Sequence, residues 1–377
     1  MQNAITTLRI QNFKSIKDVT MQPRRVNIII GEPNVGKSNI LEALSLLGGM
    51  FFDQADGRFM DGQIRYETVR NLFYDNDWSQ EITVTGEGVG ATRLRKREEI
   101  VDAAFGKGEF MKTGGKDPFS SLAHAQNALS LAFKQQDHNA LVNFQDKNEW
   151  LVELGKDGRA SNKKQSNPKP PVGVKKYAFQ KQSLHNRAYN SASLRPPYGD
   201  NLLDVIRTAP STFKKEIGRF FTPFGLNLAL RPEELEVQKN VEGVITAIPY
   251  QLIADTLQRL IFYLAAIESN DDAVLLFEEP EAHSYPVYVS QLARRIVESR
   301  NNQFFVVTHS PYFITEVLEE MLTNDELKPE LALFVAYYED YQTKVRQLSD
   351  EEVLNIRRDG LDVFYNMARF VPQRGES

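Results

Sequence analysis

This sequence predicts an α/β fold, chiefly from three short apolar runs. Residues 26–30 (VNIII), 273–277 (AVLLF) and 303–307 (QFFVV) are too short for helices. They are apolar on nearly every position, as a strand buried on both faces requires. A turn-forming segment and then a stretch with apolar residues at helical spacing follows each, so strands and helices alternate. The first run and the later pair read as two halves of one sheet, separated by an insertion.

The elements follow in order. Residues 5–10 (ITTLRI) and 15–21 (SIKDVTM) read as two strands around Asn12-Phe13. The strand at 26–30 leads into GEPNVGKSN and then an amphipathic helix over 38–47, which Gly48-Gly49 ends. Residues 66–75 read as a loop or short helix, 81–86 as a strand and 91–98 as a basic strand. The character changes near residue 101. The segment 120–133 looks helical, and 155–176 (GKDGRASNKKQSNPKPPVGVKK) reads as an exposed flexible loop. Beyond 190 the pattern is globular again. Two helices are expected over 198–221, one long apolar helix over 249–270 and a helix over 281–300. Another helix follows over 309–322, then strands over 331–340 and 344–349, then helices over 350–360 and 361–370. Three units result: an N-terminal lobe (1–100), a helical insertion with a basic loop (101–190) and a C-terminal lobe (191–377).

Composition narrows the function classes. The chain has 377 residues, a formal net charge of −5 and no cysteine. Disulfides and thiolate metal sites are excluded, and a reducing cytoplasm is the expected location. The N-terminus shows no signal-peptide h-region, and no run reaches the ~20 apolar residues of a membrane span. The negative net charge gives no global attraction for nucleic acid. Two basic clusters stand out: Arg93, Arg95, Lys96 and Arg97, and the seven cations Lys156, Arg159, Lys163, Lys164, Lys169, Lys175 and Lys176. They could meet DNA phosphates or an acidic trigger protein. A solvated loop and a charge-guarded strand edge is the favoured reading.

Three motifs carry chemistry. In GEPNVGKSN, Gly31 and Gly36 stand where a phosphate-binding loop tolerates no side chain. Lys37 would reach the β- and γ-phosphates of a nucleotide, the Ser38 hydroxyl would bind Mg²⁺, and Asn34 and Asn39 complete the cradle. In LLFEEPEAH a buried strand delivers two carboxylates at its C-terminal end. Glu278 would hold Mg²⁺, and Glu279 would orient or deprotonate the attacking water. Glu279, Glu281 and His283 could also suggest zinc. Such a site usually needs two imidazoles or thiolates, and none of the other four histidines stands at helical spacing from His283. In QFFVVTHSP, His309 follows the buried strand as a candidate γ-phosphate sensor, while Ser310-Pro311 reads as a helix N-cap and first turn.

FKSI at 13–16, GKSN followed by ILEAL, LLFEEPEAH and VVTHSP occur in that order. Together they resemble the ATP-binding-cassette-type ATPases of the chromosome-maintenance, RecF and overcoming-lysogenisation-defect group, over residues ~1–90 and ~200–320. The resemblance implies a P-loop ATPase head with a mixed central sheet flanked by helices, and ATP and Mg²⁺ at the site. It also implies a head-to-head dimer, in which the partner's signature segment, a Leu-Ser-x-Gly stretch, meets each γ-phosphate. Leu252-Ile253-Ala254-Asp255-Thr256 occupies that place. Ile253 replaces the serine hydroxyl and Asp255 the glycine, with Tyr250 or Gln251 as substitute donors. A carboxylate facing a triphosphate is unfavourable unless a cation intervenes. This departure makes slow hydrolysis, or ATP used as a structural switch, an expectation.

Ser38 and Glu278 lie 240 positions apart without sustained heptads, so no long coiled coil is expected. The 67 residues beyond Ser310 are too few for a Toprim nuclease domain. The layout resembles the stand-alone ATPases of anti-phage systems such as PARIS, which implies an effector protein and a phage trigger as partners. The alternatives are a RecF-like DNA-repair ATPase and a nucleotide-gated scaffold with negligible turnover.

Overall fold

The computed structural model describes residues 1–48, 57–106, 149–162, 173–181, 192–231 and 234–372. Two sheets form the body. The core sheet has the order β16-β15-β3-β14-β13-β9. Its strands are β3 (Val26–Gly31), β9 (Val174–Tyr177), β13 (Val274–Glu278), β14 (Gln303–Val307), β15 (Leu331–Glu339) and β16 (Gln342–Gln347). All neighbours are parallel except β15 and β16, which form an antiparallel hairpin. The two halves of the chain do share one sheet, as expected, because β3 lies between β14 and β15.

A second, antiparallel sheet has the order β2-β1-β4-β5-β6-β7-β8. It comprises β1 (Leu8–Phe13), β2 (Ile16–Met21), β4 (Ile82–Gly86), β5 (Gly90–Arg97), β6 (Ile100–Gly106), β7 (Glu149–Leu154) and β8 (Ala160–Asn162). Helix α1 (Lys37–Leu46) lies between the two sheets. The sequence suggests an amphipathic α1, but eight of its ten residues are buried. A helix covered on both sides needs apolar residues all round. Side-chain alternation in β3 divides the core. Ile29 faces α1 and the antiparallel sheet, and Ile28 and Ile30 face the other layer.

That other layer is helical: α2 (Leu202–Thr208), α3 (Ser211–Arg219), α4 (Asp255–Glu268), α5 (Pro286–Glu298) and α6 (Pro311–Leu322). Helix α7 (Asp350–Arg358) follows the β15–β16 hairpin, capped by Ser349 and Glu352 in a reciprocal capping box. A small sheet, β10 (Leu226–Leu230), β11 (Leu235–Val241) and β12 (Val244–Pro249), leads into α4.

Several expectations need correction. The stretch 155–176 is not all exposed loop, because Val174–Tyr177 forms the edge strand β9 of the core sheet with Val174 and Lys176 buried. Where 101–190 is described it contributes strands β6 to β9, not helices. The helix expected over 120–133 lies outside the described residues. The long helix of 249–270 starts only at Asp255, after a 3-10 turn at Tyr250–Leu252. The helix of 281–300 starts at Pro286, and of 361–370 only Met367–Arg369 is a 3-10 turn.

Candidate functional site

The chain arrives at the site along β3 and leaves it along α1, and the loop between them is clamped from outside. A Cβ on Gly31 would stand 2.3 Å from the Ala336 carbonyl oxygen. One on Gly36 (φ 92°) would stand 2.1 Å from Thr343 Oγ1 and 2.7 Å from Ser15 Oγ. Glycine is therefore required at both positions, by β15 at Gly31 and by β16 and the β1–β2 turn at Gly36. Lys37 is buried, and its Nζ donates to the carbonyls of Gly31 (3.0 Å) and Glu32 (2.7 Å). Burial pushes its pKa down, against the pull of Glu279, Glu278 and Glu32.

FKSI owes its place to packing and charge. Phe13 and Ile16 are fully buried. Ser15 Oγ accepts from Asn39 Nδ2 at 2.7 Å and shares a hydrogen bond with Thr343 Oγ1 at 2.6 Å. Asn39, expected in the cradle, thus ties α1 to the β1–β2 turn. Lys14 pairs with Glu42, a fully buried carboxylate on α1 that also takes Arg65 Nε at 2.8 Å. Asn34, also expected in the cradle, is exposed on the loop with φ 63°.

Glu278 ends β13, and the Ser38 hydroxyl is among the groups near it that favour its charged form. Lys176 Nζ lies 3.0 Å from one of its oxygens and Arg65 3.6 Å from the other. Burial would raise its pKa, but Lys176, Ser38 and Arg65 outweigh burial and hold it below the ordinary carboxylate value. Glu278 is thus ionised at neutral pH. A serine hydroxyl at the start of α1 and an ionised carboxylate at the end of β13 are the hard oxygen donors that Mg²⁺ takes, so Ser38 and Glu278 fit that ion.

Glu279 is half-exposed at φ 44°, a left-handed conformation rare for a non-glycine residue, and its N–H donates to Val307 O at 2.8 Å. The strand has ended, and the chain turns at Glu279. His309 Nε2 stands 3.6 Å from Glu279 Oε1, and the ring stacks on Phe364. Burial and then Lys37 push the imidazole pKa down, against Glu279, so His309 is neutral at pH 7 and donates from one nitrogen. Ser310 is a cap as expected: its Oγ accepts from Phe313 N at 3.2 Å.

Glu281 and His283, set aside as zinc ligands, have other surroundings. Glu281 is buried, and its Oε1 accepts from Thr308 Oγ1 (2.5 Å) and from His309 N (3.1 Å). It holds the turn after β14 against the turn after β13. The His283 carbonyl accepts from Thr256 Oγ1 at 3.1 Å. Of the expected signature residues, Leu252 is 71% exposed, Ile253 is half-buried, and Asp255 and Thr256 open α4. Asp255 pairs with Lys181 at 2.7 Å. Tyr250 is buried and its hydroxyl donates to Gln258 O, so it is no substitute donor, whereas Gln251 is exposed.

The structure therefore brings Lys37, Ser38, Glu278, Glu279 and His309 together and leaves residues 251–255 on the surface. Sequence reasoning missed the roles of Lys176, Arg65, Glu42 and Thr343. A strand signal for Lys176 was available in Val174-Lys175-Lys176-Tyr177, but the Pro-rich stretch before it masked that signal. Lys163, Lys164 and Lys169 lie outside the described residues, and among the described residues the basic clusters are largely paired. Arg97 meets Asp102 and Glu153, Lys156 meets Glu99, Arg159 meets Asp157, and Lys96 lies over the Trp78 ring.

Comparison with known proteins bears on this arrangement. The chain is 21% identical over 372 residues to a Helicobacter pylori (strain ATCC 700392 / 26695) protein named "ATP/GTP phosphatase", covering 89% of this chain and 93% of that one. Among solved structures it is similar to an Smc head bound to the C-winged helix domain of ScpA (15% identity, TM-score 0.45, 94% and 100% of the two chains). It is also similar to the SMC head domain from Thermotoga maritima (15% identity, TM-score 0.38, 92% and 99%). Residues 26–315, which run from β3 through the first turn of α6, match the family described as "AAA domain, putative AbiEii toxin, Type IV TA system". The phosphate loop, the two carboxylates and the histidine all fall within that match, and the chain belongs to this family of P-loop ATPases.

Proposed function

We propose that the chain hydrolyses ATP at Gly31–Asn39, as one half of a composite site that a second copy completes, and that the cycle holds or releases an effector protein in anti-phage defence. One observation carries the reading: Ser38, Glu278, Glu279, Lys37 and His309 converge at the C-terminal edge of one sheet while the signature segment faces outward. Backbone N–H groups at the start of α1 and the Lys37 ammonium bind the phosphates. Mg²⁺, held by Ser38 and Glu278, would neutralise phosphate charge. Glu279 accepts the proton of the attacking water and contributes about 10²–10⁴-fold in rate. His309, neutral beside Glu279, donates to the γ-phosphate and reports its presence. The family description as a toxin of a toxin–antitoxin system supports the defence role.

The test is phosphate release by the purified chain. Glu279→Gln should lower turnover by about 10²–10⁴-fold and trap an ATP-loaded dimer on light scattering. Lys37→Ala should lose ATP binding. A wild-type chain that binds no ATP sinks the reading. The absence of a hydroxyl at Ile253 favours a second reading, a scaffold gated by nucleotide with negligible turnover. Steady phosphate release that depends on Glu279 excludes it. DNA binding by the chain alone, lost steeply with added salt, would instead support a RecF-like role.

A further inference from the structure

Lys176 lies on β9, an edge strand of the core sheet. Edge strands carry lysines to deter pairing with other chains, with the charge turned to water. Lys176 does the opposite. It is 4% exposed, its Nζ lies 3.0 Å from Glu278 Oε2, and it donates to Gln63 O at 3.1 Å. Its neighbour Lys175 faces the other side of the sheet, toward Ser193 and Asn270. The parallel pairing of β9 with β13 sets Lys176 opposite Leu276 and Tyr177 opposite Phe277, so the backbone fixes the lysine beside the end of β13. A cavity of about 820 Å³ lined by Gln63, Arg65, Tyr66, Lys176, Tyr198 and Glu278 opens onto this pair and gives solvent-borne ions a path to it.

A buried ammonium is stable only with a compensating partner, and Glu278 is that partner. Glu278 is also the carboxylate assigned to the divalent ion. We propose that Lys176 is a resident cation of the nucleotide site: it holds Glu278 in place and competes with Mg²⁺ for that carboxylate. The lysine thereby sets how much Mg²⁺ nucleotide binding demands. The physical basis is repulsion. A fixed positive charge on one carboxylate oxygen weakens the pull of the same group on a second cation a few ångströms away. Lys176 is a positioning residue here. The inference rests on the reading of Glu278 as the metal-binding carboxylate.

The experiment measures binding, not turnover. Fluorescence polarisation of a fluorescent ATP analogue is followed across a Mg²⁺ titration for the full chain. Lys176→Gln keeps a donor for the Gln63 carbonyl and removes the charge. It should lower the midpoint Mg²⁺ concentration about tenfold, the effect of one nearby charge. Lys176→Arg keeps the charge and should leave the midpoint in place. An unchanged or higher midpoint in Lys176→Gln overturns the proposal and returns Lys176 to a structural role. Glu278→Gln should raise the midpoint. If it raises the midpoint and Lys176→Gln does not lower it, only the proposal on Lys176 fails. If Glu278→Gln leaves the midpoint unmoved, the assignment of Glu278 fails and the proposal falls with it. Should Lys176→Gln not fold, Lys176→Met, which also removes the charge, takes its place, and an unchanged or higher midpoint in that variant overturns the proposal.

Discussion

Glu281→Gln should stabilise the protein at alkaline pH and leave it unchanged in mild acid. Glu281 is 8% exposed. Its Oε1 takes two donors, Thr308 Oγ1 and His309 N, while Oε2 is buried with no hydrogen-bond partner. Burial pushes its carboxyl pKa above the ordinary 4.5, and the donors from Thr308 and His309 only partly offset this. The folded chain therefore keeps the Glu281 proton to a higher pH than the unfolded chain does. The stability that the neutral carboxyl contributes is present in full below the unfolded value and is lost as pH rises through the folded value. Glutamine reproduces the neutral form: its oxygen can serve both donors and no charge remains to desolvate. An ionised oxygen buried without a partner costs about 1–3 kcal/mol, and the glutamine amide left in its place costs part of that. The expected gain is about 1 kcal/mol at pH 8 and near zero at pH 4.5. Urea unfolding of both chains at the two pH values measures it. Equal effects at both pH values, or destabilisation at pH 8, would refute the assignment of Glu281 as a neutralised brace between the two turns.

Three further outcomes follow from the same geometry. Gly36→Ala places a Cβ 2.1 Å from Thr343 Oγ1 at φ 92° and should cost about 2–4 kcal/mol. Adding Thr343→Ala should recover part of that in a double-mutant cycle, and strict additivity would show that the clamp is absent. Lys14→Met leaves the fully buried Glu42 with Arg65 as its remaining cation and should cost about 3 kcal/mol. Lys14→Met with Glu42→Met should be less destabilised than Lys14→Met alone. The His309 imidazole should titrate below 6.5 by NMR, lower still in Glu279→Gln and higher in Lys37→Met, because the carboxylate raises its pKa and the ammonium lowers it. Movement in the opposite sense in either variant would contradict the placement of these three groups.

The legible parts of the sequence were those whose physics is local. Residues 26–30 and 273–277 announce themselves because a strand buried on both faces is apolar on consecutive positions. The glycines of the phosphate loop mark the turn between β3 and α1 without reference to anything distant. Lys176 was not legible. Its burial is tolerable only because Glu278, about a hundred positions later, folds beside it, and in one dimension a Lys-Lys pair after a Pro-rich stretch reads as solvent. Glu42 is the same case, an acid inside a helical pattern whose partners are Lys14 and Arg65. The late start of α4 at Asp255 was hidden for a different reason. The apolar periodicity runs on through the 3-10 turn, and the pairing of β12 with β11 and the burial of Tyr250 break it.

The clamp on the phosphate loop also has a consequence in time. The loop emerges from the ribosome early, but the residues that close over it, Ala336 and Thr343, are made roughly 300 positions later. At about 5–20 residues per second, the loop waits on the order of 15–60 s for its walls. A nascent or truncated chain lacking the β15–β16 hairpin has the nucleotide motif in its sequence but no finished cradle. Fragments that stop short of that hairpin should therefore be inert toward nucleotide, so that binding begins only with nearly complete synthesis.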